Sequence, residues 1–134
     1  MKLTHILNIL EEMAPLSYAE DFDNVGLLVG NNNQEISGIL VCHDALEAVI
    51  DEAVAKKCNL VVCFHPILFS GIKKITGKNY VERALIKAIK NDIAIYAVHT
   101  ALDNHPNGVN KIFCDALGIL DSKILIPKEN YIQK

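Results

Sequence analysis

Three of the five histidines directly follow apolar, strand-like runs: His43 comes after Cys42, His65 after Phe64 and His99 after Val98. Asp44 and Asp103 lie close behind in the same turns. Neutral imidazole plus carboxylate is a normal ligand set for zinc, manganese or iron, and the same groups serve as general acids and bases. His99 and Asp103 are separated by one helical turn's worth of chain across a strand-to-loop junction, a spacing that suits a metal pair or a turn-stabilising carboxylate. His65 precedes Pro66, which cannot continue a central ladder, so the chain turns there and projects the imidazole toward the sheet edge. A metal ligand, a general base and a histidine hydrogen-bonded to a neighbouring loop all fit that position. Asp44 reads better as the N-cap of the next helix than as a ligand, with His43 beside it solvated. Thr100 suits the orientation of a ligand or water from behind. His5 lies within the first helix and His105 in a polar loop before Pro106, on the surface; neither is assigned a role.

These groups need elements that bring them to one place. Apolar spacing predicts an amphipathic helix over 4–13, with Ile6, Leu7, Leu10 and Met13 on one face and Pro15 as its stop. A short apolar run over 25–29 closes at Gly30 and an Asn-rich turn. Strands are predicted over 39–42, 60–64 and 93–98, and helices over 45–57, 79–91 and 108–117. The last helix is assigned a buried face of Val109, Ile112, Phe113, Ala116 and Leu117, with Gly118 just past its end. The segment 101–107 reads as a polar loop. Alternating strands and helices predict right-handed crossovers, and strands without polar alternation predict burial on both faces. The expected fold is an α/β three-layer domain with a mostly parallel sheet and flanking helices. Ligands of such sheets sit outside the carboxyl ends of the strands, where the histidines fall.

Residues 71–79 imitate a phosphate-binding P-loop between a strand and a helix, but five residues separate Gly71 from Gly77, and Asn79 stands where a hydroxyl should hold magnesium. Lys73, Lys74 and Lys78 remain available to attract an anion at a rim. The turn Asp23-Asn24-Val25-Gly26 suits a tight bend, and it could equally line the crevice.

At 134 residues and 51% hydrophobic, the chain suits one compact domain. A formal charge of -3 without a basic block argues against nucleic acid or an anionic membrane as partner. No apolar run approaches the roughly 20 residues that span a bilayer. The four cysteines form no C-x-x-C pair and read as reduced thiols, so a cytoplasmic protein is expected.

Four segments together resemble the NGG-interacting-factor-three-like family, whose members are also known as GTP cyclohydrolase I type 2 homologs. They are 23–30 (Asp-Asn-Val-Gly-Leu-Leu-Val-Gly), 64–67 (Phe-His-Pro-Ile), 99–103 (His-Thr-Ala-Leu-Asp) and 108–110 (Gly-Val-Asn). The resemblance implies the N-terminal α/β domain over 1–120, in toroidal homo-hexamers with two divalent metal ions per site. It implies His65 and Asp103 as metal ligands, with His99 a ligand or near neighbour, and places Asn24 in the family's N-terminal signature. It implies a metal-dependent hydrolase acting on a nucleotide or a cyclic amide-like compound, or a non-catalytic metal-binding assembly or regulatory module. No catalytic residue is assigned. Phe64 replaces the first of two adjacent histidines usual in the family. The family's later histidine and glutamate are expected beyond 134, so 121–134 is expected to be an exit toward an inserted or C-terminal part, the site to be incomplete, and this form to bind metal weakly and be inactive.

Overall fold

The apolar runs over 60–64 and 93–98 become strands buried from above and below. The computed structural model describes residues 1–124 and 126. Its elements are α1 (Leu3–Met13), a 3-10 turn (Leu16–Tyr18), β1 (Gly26–Val29), β2 (Ile39–Asp44), α2 (Glu47–Ala55), β3 (Leu60–His65), α3 (Tyr80–Lys90), β4 (Ala94–Ala97), α4 (His99–Asp103) and α5 (Val109–Ala116). The sheet order is β1-β4-β3-β2. β2, β3 and β4 run parallel, while β1 pairs antiparallel with β4.

Side chains alternate across a strand, and here both sets are apolar. Val61 and Cys63 of β3 join Ile95 and Ala97 of β4 under Ile50 and Ala53 of α2 and Ala84 and Ala88 of α3. Leu60, Val62, Ala94 and Tyr96 face the other way, under Leu3 and Ile6 of α1. The result is the expected three-layer arrangement. Burial also pushes the Cys63 thiol up to about 12 and the Cys42 thiol up to about 11, so both act as small packing groups and not as thiolates. Among the described residues no helix is long and apolar enough to cross a membrane.

Register places the site. Asp44 pairs with His65, and Cys63 with Ala97. The carboxyl ends of β2, β3 and β4 therefore share one edge. Gly30 leaves β1 at φ +130°, where an added Cβ would stand 2.8 Å from the Ala94 Cβ; only glycine fits that turn. At Gly108 a Cβ would meet the Leu102 carbonyl oxygen at 1.9 Å, so glycine lets α5 begin directly against α4.

Several expectations are corrected. β2 is an edge strand, and Val41 is 75% exposed, because α2 covers one of its faces and α1 does not reach the other. No residue of α5 is buried: Ile112, Phe113 and Leu117 are 64%, 63% and 73% exposed, since α5 packs beside α4 and not on the sheet. Met13 is exposed, and Leu3 takes the buried place in α1. The segment read as a polar loop after β4 begins as helix α4, which puts His99 and Asp103 on one face. Asp44 caps nothing: the N-cap of α2 is Leu46, without a side-chain bond.

The P-loop mimic is also resolved. Asn79 caps α3 by accepting from the Glu82 N–H at 2.9 Å. The Glu82 carboxylate reaches back to the Thr76 and Lys78 N–H groups at 2.8 and 3.0 Å. These bonds tie the loop to the start of α3, and the Thr76 and Lys78 N–H groups are no longer free for a phosphate. The predicted exit segment 121–134 falls largely outside the described residues.

Candidate metal centre

His43 and Asp44 end β2, His65 ends β3, and His99 begins α4 directly beyond β4. The Asp44 carboxylate bridges two imidazoles, with Oδ2 at 3.0 Å from His43 Nδ1 and Oδ1 at 2.8 Å from His65 Nδ1. Hydrogen bonds from His65 and His43 hold its pKa below the ordinary carboxylate value. These three residues present ligand atoms that all lie within 4.8 Å of one another. The rings of His43 and His65 are 4.4 Å apart, and those of His65 and His99 5.4 Å, centroid to centroid.

His99 is held from behind. The Asp23 side chain is wholly inaccessible to solvent and lies 2.9 Å from His99 Nδ1. It also accepts from the Thr100 N–H at 3.1 Å, from the Asn24 N–H at 2.7 Å and from the Thr100 hydroxyl. Burial alone would raise the Asp23 pKa, but the bonds from His99, Thr100 and Asn24 outweigh it and the net shift is downward. A carboxylate on one ring nitrogen fixes the tautomer and leaves Nε2 as the outward donor, the usual device behind a metal-bound histidine. The His99 backbone sits at φ +23°, an uncommon conformation that persists only where surroundings over-determine it. Thr100 therefore orients Asp23, and through it His99.

Asp103 ends α4, one helical turn after His99. Burial raises its pKa, the His99 charge pulls it down, Asp23 pushes it up again and His65 opposes. All three neighbours belong to the cluster, so Asp103 shares its electrostatic field. His65 and His99 stand at the same edge with His43 and Asp44, while the one group among the described residues whose ligand atoms all lie within 4.8 Å is His43, Asp44 and His65, which holds neither His99 nor Asp103.

Phe64 stands inside the same cluster. Its ring stacks on His43 at 5.5 Å and 11°, and meets His99 edge-on at 5.5 Å and 89°. It offers no lone pair. The nitrogen and carboxylate donors present fit a divalent ion of the zinc, iron or manganese class, and the phenyl ring narrows the space for any further one.

The sequence places Asp23 in a turn that could line the crevice without giving its carboxylate a role, and Asp44 reads there as a cap. A signal existed for Asp44, since a carboxylate at the end of a strand parallel to that of His65 shares its edge. His105 lies elsewhere, its ring 5.9 Å from that of Tyr18.

The family model of Duf34/NIF3 (NGG1p interacting factor 3) matches residues 1–133. The chain belongs to the Duf34/NIF3 family. It is 39% identical over 134 residues to the "GTP cyclohydrolase 1 type 2 homolog" of Clostridium acetobutylicum, covering 100% of this chain and 50% of that protein. It is 38% identical over 130 residues to "NIF3-like protein 1" of Bos taurus, covering 96% of this chain and 34% of that one. Among solved structures, a Bacillus cereus protein related to NIF3 superposes with a TM-score of 0.89 at 34% identity, over 96% of this chain and 35% of that one. Reduced HcgD from Methanocaldococcus jannaschii gives 0.86 at 32%, over 93% and 50%. This Duf34/NIF3 chain spans half or less of the length of these relatives.

Proposed function

We propose that this chain is the metal-binding domain of a metal-dependent hydrolase whose substrate is a nucleotide or another cyclic amide-like compound. The observation that carries the reading is the approach of His65 and His99 to 5.4 Å, beside the His43, Asp44 and His65 ligand atoms that lie within 4.8 Å of one another. His65, His99 and Asp103 hold a divalent ion (zinc, iron or manganese), with His43 and Asp44 as additional donors. When bound, such an ion polarises a substrate oxygen and lowers the pKa of its water. The chain's own residues prepare the site: Asp23 aims His99, Asp44 orients His65, and the Phe64 ring packs against His43 and His99.

With Phe64 in place of a donor, one ion per chain is proposed, held weakly; a second would need donors from elsewhere. The test is elemental analysis of the purified chain before and after mild dialysis. We expect substoichiometric metal that His65→Ala and Asp103→Ala abolish. Full retention after dialysis would refute weak binding, and metal content unchanged in both variants would refute the ligand assignment.

The α5 stripe favours a second property. Ile112, Phe113 and Leu117 stand exposed on one helix, and such a patch marks an association surface. A homo-oligomer, a hexamer by family likeness, is proposed, and a non-catalytic assembly module is the alternative reading should the metal prove dispensable.

A further inference from the structure

A groove of about 1140 Å³ runs along β1 beneath the 68–75 loop and beside α3. Typical small-molecule sites measure roughly 300–1,000 Å³. One end borders the metal centre: Asn24 lines it next to Asp23, and the Phe69 ring lies 6.5 Å from that of His99.

We infer that this groove binds an uncharged cyclic amide or nucleoside-like ring, with no polyphosphate, and delivers its reactive end to the His65–His99 cluster. The inference rests on the hydrolase reading above and names its substrate class. Three observations carry it. The walls include the apolar side chains of Leu28, Phe69, Ile75 and Ile89, and the last three are half exposed, so a ring laid between them removes apolar surface from water. Asn24, Asn33, Gln34 and Asn59 also line the groove. Asn24 and Gln34 give their amide N–H groups to the Leu68 and Asp92 carbonyls and keep an oxygen to accept with, while Asn59 is engaged at both ends. The Asn33 amide carries both a donor and an acceptor, so the N–H and C=O edge of a lactam finds an acceptor and a donor here. Finally, the one acidic residue among the described lining residues is Asp92, and no lysine or arginine is among them.

A triphosphate would meet no compensating charge among the described lining residues, since Lys73 and Lys74 of the overlying loop are not part of the lining, and burying unpaired charge is costly. In the neighbouring 71–79 loop the Thr76 and Lys78 N–H groups already donate to Glu82 and are not available to a phosphate.

The test titrates the metal-free chain with guanosine and, separately, with GTP, followed by calorimetry. Guanosine should bind about tenfold or more tightly than GTP, as expected where charge finds no partner. Ile75→Asp and Ile89→Asp, both at exposed positions that leave the core intact, should each weaken guanosine binding at least severalfold without altering metal content. His65→Ala should lose metal and keep guanosine affinity. GTP binding as tightly as guanosine would overturn the inference. So would guanosine affinity indifferent to both groove substitutions, guanosine binding lost in His65→Ala, or no guanosine binding at all. If instead the chain takes up no metal while guanosine still binds in the groove, the failure belongs to the hydrolase reading and not to this one.

Discussion

Asp23 and His99 are 76 positions apart in the chain, yet both carboxylate oxygens of Asp23 lie 2.9 Å from His99 Nδ1. The Asp23 side chain is wholly buried and that of His99 mostly so. The pair joins the turn before β1 to the residue after β4, and it fixes which imidazole nitrogen faces the crevice.

Asp23→Asn keeps the shape and removes the charge. Metal affinity should fall about 10–100-fold, the usual effect of losing the carboxylate behind a ligating histidine. Asp23→Ala should also cost about 1–3 kcal/mol of stability, because buried donors of His99 and Thr100 lose their acceptor. Metal titration and chemical denaturation check the two effects separately. Unchanged metal affinity in Asp23→Asn would show that His99 is not a ligand.

Phe64 is the apolar ring within a cluster of donors. Phe64→His adds an imidazole between His43 and His99, both of whose rings lie 5.5 Å from it. Metal retained after dialysis should rise above that of the parent chain. Elemental analysis reads this directly, and an equal or lower content would mean that the ring is not what limits binding.

Glu82 governs acid behaviour at the 71–79 loop. Hydrogen bonds from the Lys78 and Thr76 backbone, and from the Thr76 hydroxyl, lower its pKa below the ordinary 4.5, against a smaller opposing effect of burial. A carboxyl whose folded pKa is depressed stabilises the fold above its unfolded pKa, and that contribution is lost as pH falls through the folded value. The parent chain should therefore lose Tm steadily below about pH 4.5. Glu82→Gln should melt lower at neutral pH and show a flatter acid limb, the two curves converging at low pH. Parallel curves across that window would remove Glu82 from the account.

The α5 stripe makes a prediction about assembly. Phe113→Asp places a charge on a side chain that is 63% exposed, so folding should survive with a Tm within a few degrees. If α5 is an oligomer contact, light scattering should show the parent chain as an oligomer and the variant as a smaller species. Identical masses would direct the search to another surface, such as the open edge of β2 around Val41.

Local patterns determined much of this protein. The unbroken apolar runs ending at Phe64 and Val98 require strands covered on both faces, and the helical spacing between them requires crossovers; both follow from neighbours along the chain. For the same reason the positions of His65 and His99 at strand ends were legible. The tertiary structure alone decided the rest. Asp44 meets His65 across 21 residues because β2 and β3 pair in one particular register. Asp23 meets His99 because β1 pairs antiparallel with β4, which returns the preceding turn to the carboxyl edge. The apolar face of α5 looked internal because periodicity records that a helix has an oily side, but not what lies against it. Pairing register and layer coverage are long-range outcomes, and no window of sequence contains both partners.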